Sequence, residues 1–229
     1  MRRKGGGAMA WRLAAVLALW AGMAFGADLS ACPPGQTAPA VAHAPRLAPG
    51  AVVLAIGSSS TAGYGALRGE DYPSRLSALT GARVENAGRG GERAAGALTR
   101  LRVLLAAGRY DLVIWQLGMN DARDPAVTPQ AFAATLDEGV AAIRAAGAAA
   151  LLVDQQAYPD PPDPARHARF VALVAEGAAR NAVALLPRHA AMAAWDARTL
   201  AAMLAGDRFH MNARGYACLA ALIAAALGR

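Results

Sequence analysis

Short apolar runs, each ending close to a glycine and each separated from the next by a helix-length stretch, recur along most of the chain. Residues 51–56 (AVVLAI) stop at Gly57, and residues 111–117 (DLVIWQL) stop at Gly118. Predominantly apolar runs of this length fit strands buried on both faces, because a half-exposed strand would alternate regularly with polar residues. Residues 83–87, 149–153 and 182–186 complete a set of five expected strands. Between and after them, residues 72–79, 92–107, 128–146, 165–181 and 212–227 have helical spacing. Thr128 stands as an N-cap, and Gly147 follows that helix. Strands alternating with helices require a parallel sheet covered on both faces. Right-handed crossovers then give a three-layer α/β/α, doubly wound fold of flavodoxin-like type. Ligands in such folds bind beyond the carboxyl ends of the strands, so the residues just after each strand carry the interest.

The N-terminus is organised differently. Arg2, Arg3 and Lys4 precede an apolar stretch from Leu13 to Phe25. That stretch is short for a permanent span, and a cationic start followed by a brief apolar core reads as a signal peptide over residues 1–31. Two processing routes are open: cleavage after Ala24-Phe25-Gly26, or lipidation of Cys32 in the lipobox-like Leu29-Ser30-Ala31-Cys32. The expected location is accordingly outside the cytoplasm, periplasmic or at the envelope, with membrane attachment through a lipidated Cys32 as one form. Residues 32–50, rich in proline and alanine, read as an exposed linker, leaving residues 51–229 as the folded domain. The two cysteines could pair in an oxidising compartment, but Cys218 falls in an apolar helical pattern and is expected to be buried and unpaired.

The formal net charge is +7, partly contributed by the leading segment. The remaining arginines are scattered without interleaved aromatics, which argues against a nucleic-acid surface. A monomer acting on a small-molecule or glycan ester is expected. No metal site and no cofactor are expected, since no His or Cys stands at ligand spacing to another.

Four segments at strand ends hold chemistry. The first strand runs into Gly57-Ser58-Ser59-Ser60-Thr61, the second into Asn86-Ala87-Gly88-Arg89-Gly90-Gly91, and the third into Gly118-Met119-Asn120-Asp121. Each alone is equally well a turn or a helix cap. An asparagine amide in the cleft can also donate to a developing oxyanion. Near the C-terminus stands Asp207-Arg208-Phe209-His210, in which an aspartate three residues before a histidine can reach its Nδ1 and fix the tautomer. His43 lies in the linker, and His167 reads as solvated. His189 is the rival base but lacks an acid three residues earlier, and Asp154 is the reserve acid. Tyr64 and Tyr158 could line a pocket, whereas Trp115 reads as core.

Taken together, these four segments resemble the signature blocks of the SGNH (GDSL-type) hydrolase family, in order and after the corresponding strands. The resemblance spans roughly residues 51–229. It implies an esterase with Ser59 as nucleophile, Asp207 and His210 completing the triad, and Ser59, Gly91 and Asn120 forming the oxyanion hole. The chain departs from the family pattern where Ser58 replaces the aspartate of GDS. The α/β-hydrolase elbow fits less well, because Thr61 stands where G-x-S-x-G needs its last glycine. A non-catalytic, glycan-binding surface lipoprotein on the same scaffold is the alternative.

Overall fold

A computed structural model describes residues 28–229, and most of the signal-peptide reading of residues 1–31 lies outside this range. Five strands form one all-parallel sheet in the order β2-β1-β3-β4-β5. They are β1 (Val52–Gly57), β2 (Arg83–Gly88), β3 (Leu112–Gln116), β4 (Ala149–Val153) and β5 (Ala184–Leu186). The doubly wound, three-layer expectation is met. Alternate residues of each strand serve different layers. Val53, Ala55, Ile114 and Val153 pack with α2 (Tyr72–Thr80) and α9 (Ala213–Ala226) on one side. Leu54, Ile56, Val113, Trp115 and Leu152 pack with α3 (Ala94–Ala107), α5 (Pro129–Ala145) and α6 (Pro164–Arg180) on the other. Trp115 is fully buried, as read from the sequence.

The helix starts are encoded locally. Asp71, Thr128, Asp163 and Asn212 each accept an amide hydrogen bond in the first turn of α2, α5, α6 and α9, a cap worth about 1 kcal/mol. Four further helices are short: α1 (Ser59–Ala62), α4 (Met119–Arg123), α7 (Arg188–Ala193) and α8 (Ala197–Met203). The first two sit immediately after β1 and β3. Because β1 lies between β2 and β3, the strand order reverses at β1 and β3, where a crevice opens at their carboxyl ends. Glycine makes the close passage of α1 across these ends feasible. A Cβ on Gly88 would stand 2.1 Å from the Ala62 nitrogen, and one on Gly57 would stand 2.6 Å from the Gln116 carbonyl oxygen.

The two cysteines depart from expectation. Cys32 and Cys218 form a disulfide across a sequence separation of 186. Cys218 is buried, but it is paired. A sulfur held in this bond cannot also carry a lipid thioether, so lipid attachment through Cys32 is incompatible with this structure. The segment expected as an exposed linker is also partly packed. Cys32 and Leu47 are buried, Leu29, Val41 and Ala44 rest on the core, and the Leu47 amide donates to the Leu227 carbonyl. The disulfide and these apolar contacts hold it against α9. No described helix is long and apolar enough to cross a membrane.

Candidate active site

Ser59 is the first residue of α1, at the end of β1, and is almost buried. Its backbone N–H falls at a helix start, where no intrahelical acceptor exists. The turn before it is secured from the neighbouring strand: both the amide and the hydroxyl of Ser58 donate to Gln116 Oε1, at 3.2 and 3.0 Å. Gln116 ends β3, so this pair anchors the turn at the position where the family pattern has its aspartate.

His210 reaches Ser59 from the far end of the chain. Its Nε2 lies 2.9 Å from Ser59 Oγ, and its Nδ1 lies 2.6 Å from Asp207 Oδ2. Since an ionised carboxylate only accepts, Nδ1 carries the proton, and Nε2 is left to accept from the serine hydroxyl. Asp207 Oδ1 additionally accepts the amides of Phe209 and His210, each at 3.0 Å. Partial burial pushes the Asp207 carboxyl upward, but these three hydrogen bonds and the nearby imidazole outweigh it and hold the carboxyl below its ordinary range. The loop is closed on itself by the Ala205 amide, which donates to the His210 carbonyl at 2.8 Å. Arg208 adopts φ +56° in this turn, a left-handed conformation uncommon outside glycine.

The segments after β2 and β3 meet beside Ser59's strand. Asn120 Nδ2 donates to the Glu92 carbonyl at 2.9 Å, which leaves its second N–H for another acceptor. The Ala94 amide, at the start of α3, donates to the buried Asp121 carboxylate at 3.0 and 3.2 Å. Desolvation raises the Asp121 pKa, against that amide and other backbone donors. An Arg93–Asp124 ion pair ties the same two segments at the surface. Gly91 therefore sits on a loop fastened to α4, and no described residue accepts its amide. The predicted triad is thus brought together by hydrogen bonds, and the loops of Gly91 and Asn120 are joined to each other.

The rival residues lie elsewhere. Asp154 is buried and accepts the His189 amide at 2.8 Å, and no hydrogen bond joins it to His210 among the described residues. The His189 ring faces His167 at 5.2 Å instead of Ser59. His167, expected to be solvated, is buried. Asp163 caps α6 through Arg166, so the first turn of that helix aims His167 inward against Tyr158. Burial, with His189 and Arg188 nearby, pushes the His167 pKa down to about 4. Tyr64 stands exposed beside the His210 ring at 5.6 Å, and Tyr216 fixes its backbone by donating to the Tyr64 carbonyl at 2.7 Å. Tyr158 contacts Phe209 edge-on.

Sequence reasoning missed Gln116, Gln156 and Arg188, all buried at this end of the sheet. A glutamine inside the apolar run of β3 was the available signal for Gln116.

Comparison with known proteins places these features in context. A model of the non-GDSL lipase-like family matches residues 31–229. The crystal structure of TesA superposes with a TM-score of 0.66 at 25% identity, covering 77% of this chain and 97% of that one. A lipase/acylhydrolase from Enterococcus faecalis superposes with a TM-score of 0.67 at 25% identity, covering 78% and 95%. A putative lipolytic protein of the G-D-S-L family from Desulfitobacterium hafniense, at 20% identity and a TM-score of 0.66, shares the fold over 77% of this chain and 99% of its own. No curated protein sequence matches.

Proposed function

The chain belongs to the non-GDSL lipase-like family and is an SGNH-type ester hydrolase, and on that premise we propose that it cleaves carboxylic esters through an acyl-enzyme on Ser59. The observation that carries this reading is the continuous hydrogen-bonded chain from Asp207 through His210 to Ser59 Oγ, at 2.6 and 2.9 Å. His210 Nε2 takes the hydroxyl proton as Oγ bonds to the ester carbonyl carbon. The oxyanion is met by the amides of Ser59 and Gly91 and by the free N–H of Asn120, preorganised donors each worth roughly 10²–10³ in rate. The proton then passes from His210 to the departing alcohol as the C–O bond breaks. Water attacks the acyl-enzyme with His210 again as base and releases the acid. These steps call on no cofactor. One chain supplies every group, so the reading needs no partner subunit. A non-catalytic glycan-binding role would have no use for the triad and the oxyanion donors together.

We further propose that the mature protein works outside the cytoplasm on acylated glycans or lipids of the envelope. The cationic, then apolar N-terminus supports export, as does the Cys32–Cys218 disulfide, since such bonds persist in oxidising compartments. Tyr64, exposed next to His210, offers a flat apolar face to the alcohol part of an ester. Hydrolysis of p-nitrophenyl esters of increasing acyl length and of acetylated glycans tests both levels. Ser59→Ala is expected to abolish turnover in a folded protein. Loss of activity in Ser58→Ala or Ser60→Ala but not in Ser59→Ala would overturn the assignment of the nucleophile.

A further inference from the structure

We propose that Gln156 is a positioning residue of the hydrolysis: it sets the separation between the helix that carries the nucleophile and the loop that carries the triad acid and base. The proposal rests on the assignment of Ser59, His210 and Asp207 given above. Gln156 follows β4 and is 1% exposed. Its Oε1 accepts the Ser60 hydroxyl at 3.1 Å and Arg188 Nη2 at 3.0 Å. Its Nε2 donates to the Phe209 carbonyl at 3.2 Å. Ser60 adjoins the nucleophile and Phe209 adjoins the base, so one buried amide spans the two halves of the triad.

Only one orientation of that amide is chemically consistent. A guanidinium donates and never accepts, so the Gln156 oxygen must face Arg188. A carbonyl only accepts, so the nitrogen must face Phe209. Flipping the amide would set N–H against guanidinium and oxygen against oxygen. Arg188 is itself immobilised: it is 1% exposed, and its Nε and Nη2 donate to the Asp154 carbonyl at 3.0 and 2.7 Å. Burying a cation in this way is costly, and well-packed apolar side chains often serve stability as well or better. The network is therefore better explained by what it holds. A displacement of about 1 Å between reacting groups can cost on the order of 10² in rate, so a link between these two segments acts on turnover more than on binding.

Gln156→Glu is the decisive variant. It keeps the size and the acceptor for Ser60 and Arg188, and sets a carboxylate oxygen in place of the N–H that faces Phe209. The Arg188 guanidinium, 3.0 Å from the Gln156 oxygen, favours the ionised form, which cannot donate to the Phe209 carbonyl. With p-nitrophenyl acetate, kcat is expected to fall about tenfold to a hundredfold while KM stays within about twofold. The melting temperature should stay near that of the parent, and the proton resonance of His210 Nδ1 should shift. Ser60→Ala removes the nucleophile-side bond alone and should lower kcat by less. The double variant should lose less than the product of the two, because both act through one link. Parental kcat in folded Gln156→Glu, or a loss that only tracks the folded fraction, overturns the proposal. If Gln156→Glu does not fold, parental kcat in Ser60→Ala overturns it. A parent that cleaves no ester would defeat the functional reading instead. The His210 Nδ1 resonance would then still decide the positioning role, and an unchanged signal in Gln156→Glu would count against it.

Discussion

Asp207 does its work within three residues of the group it orients. One oxygen fixes the His210 tautomer and the other accepts two amides of the same loop. Replacing it by asparagine keeps the shape but lets an N–H face Nδ1, which favours the wrong tautomer. Asp207→Asn is expected to lower kcat by up to ~10⁴, while circular dichroism and melting temperature stay near parental values, because the side chain is half-exposed and its hydrogen bonds stay within its own loop. Near-parental turnover would remove Asp207 from the triad. The Asp207–His210 hydrogen bond was legible in the sequence because a single turn brings the two side chains together. Ser58 shows the opposite case. Its partner, Gln116 Oε1, is 58 positions away and becomes a neighbour only through the pairing of β1 with β3. Gln156 and Arg188 were illegible for the same reason, since their bonds run between strand ends that only the sheet brings together.

At the scale of elements, the long helices and four of the strands followed from apolar periodicity and caps. Strand β5 is shorter than read, because Ala182 adopts φ +47° in the turn before it. The one-turn helices α1 and α4 escaped notice, being too short for a period to show. The inward face of α6 was misread, and it makes a pH-dependent contribution. His167 has a folded pKa of about 4, against ~6.5 when unfolded. A depressed pKa means that the folded state binds the proton less readily than the unfolded chain. The stability from this group is therefore fully present above about pH 6.5 and is lost as pH falls toward 4. The difference amounts to about 3 kcal/mol at most. Asp154 acts with the opposite sign: burial pushes its carboxyl up to about 7, so its contribution is lost as pH rises through that value. His167→Phe keeps a ring against Tyr158 and removes the titration. Thermal melts at pH 7 and 4.5 should show a smaller acid loss in this variant than in the parent, and an equal loss would refute the assignment.

For the molecule as a whole, alternation of strand and helix signals predicted the sheet and its layers, and the crevice at the β1/β3 ends followed from the resulting topology. The disulfide could not be foreseen in that way, because its partners are separated by nearly the whole domain and one of them lies in a proline-rich segment. Removing it with Cys32→Ser and Cys218→Ser together is expected to cost about 2–5 kcal/mol, read as a lower denaturant midpoint. Ester turnover at moderate temperature should persist, since neither cysteine touches the triad.

The same bond makes residues 32–218 a closed covalent ring that contains all five strands, Ser59, Asp207 and His210. A single peptide cleavage inside that ring cannot release either piece. The exposed prolines and aspartates between β4 and α6, around residues 159–163, are the obvious place for a protease to cut. Such a cut would leave the serine on one fragment and the histidine on the other, still tethered through α9. The nicked protein should migrate as one species on a non-reducing gel and as two after reduction. It should go on hydrolysing esters until a reductant opens the ring.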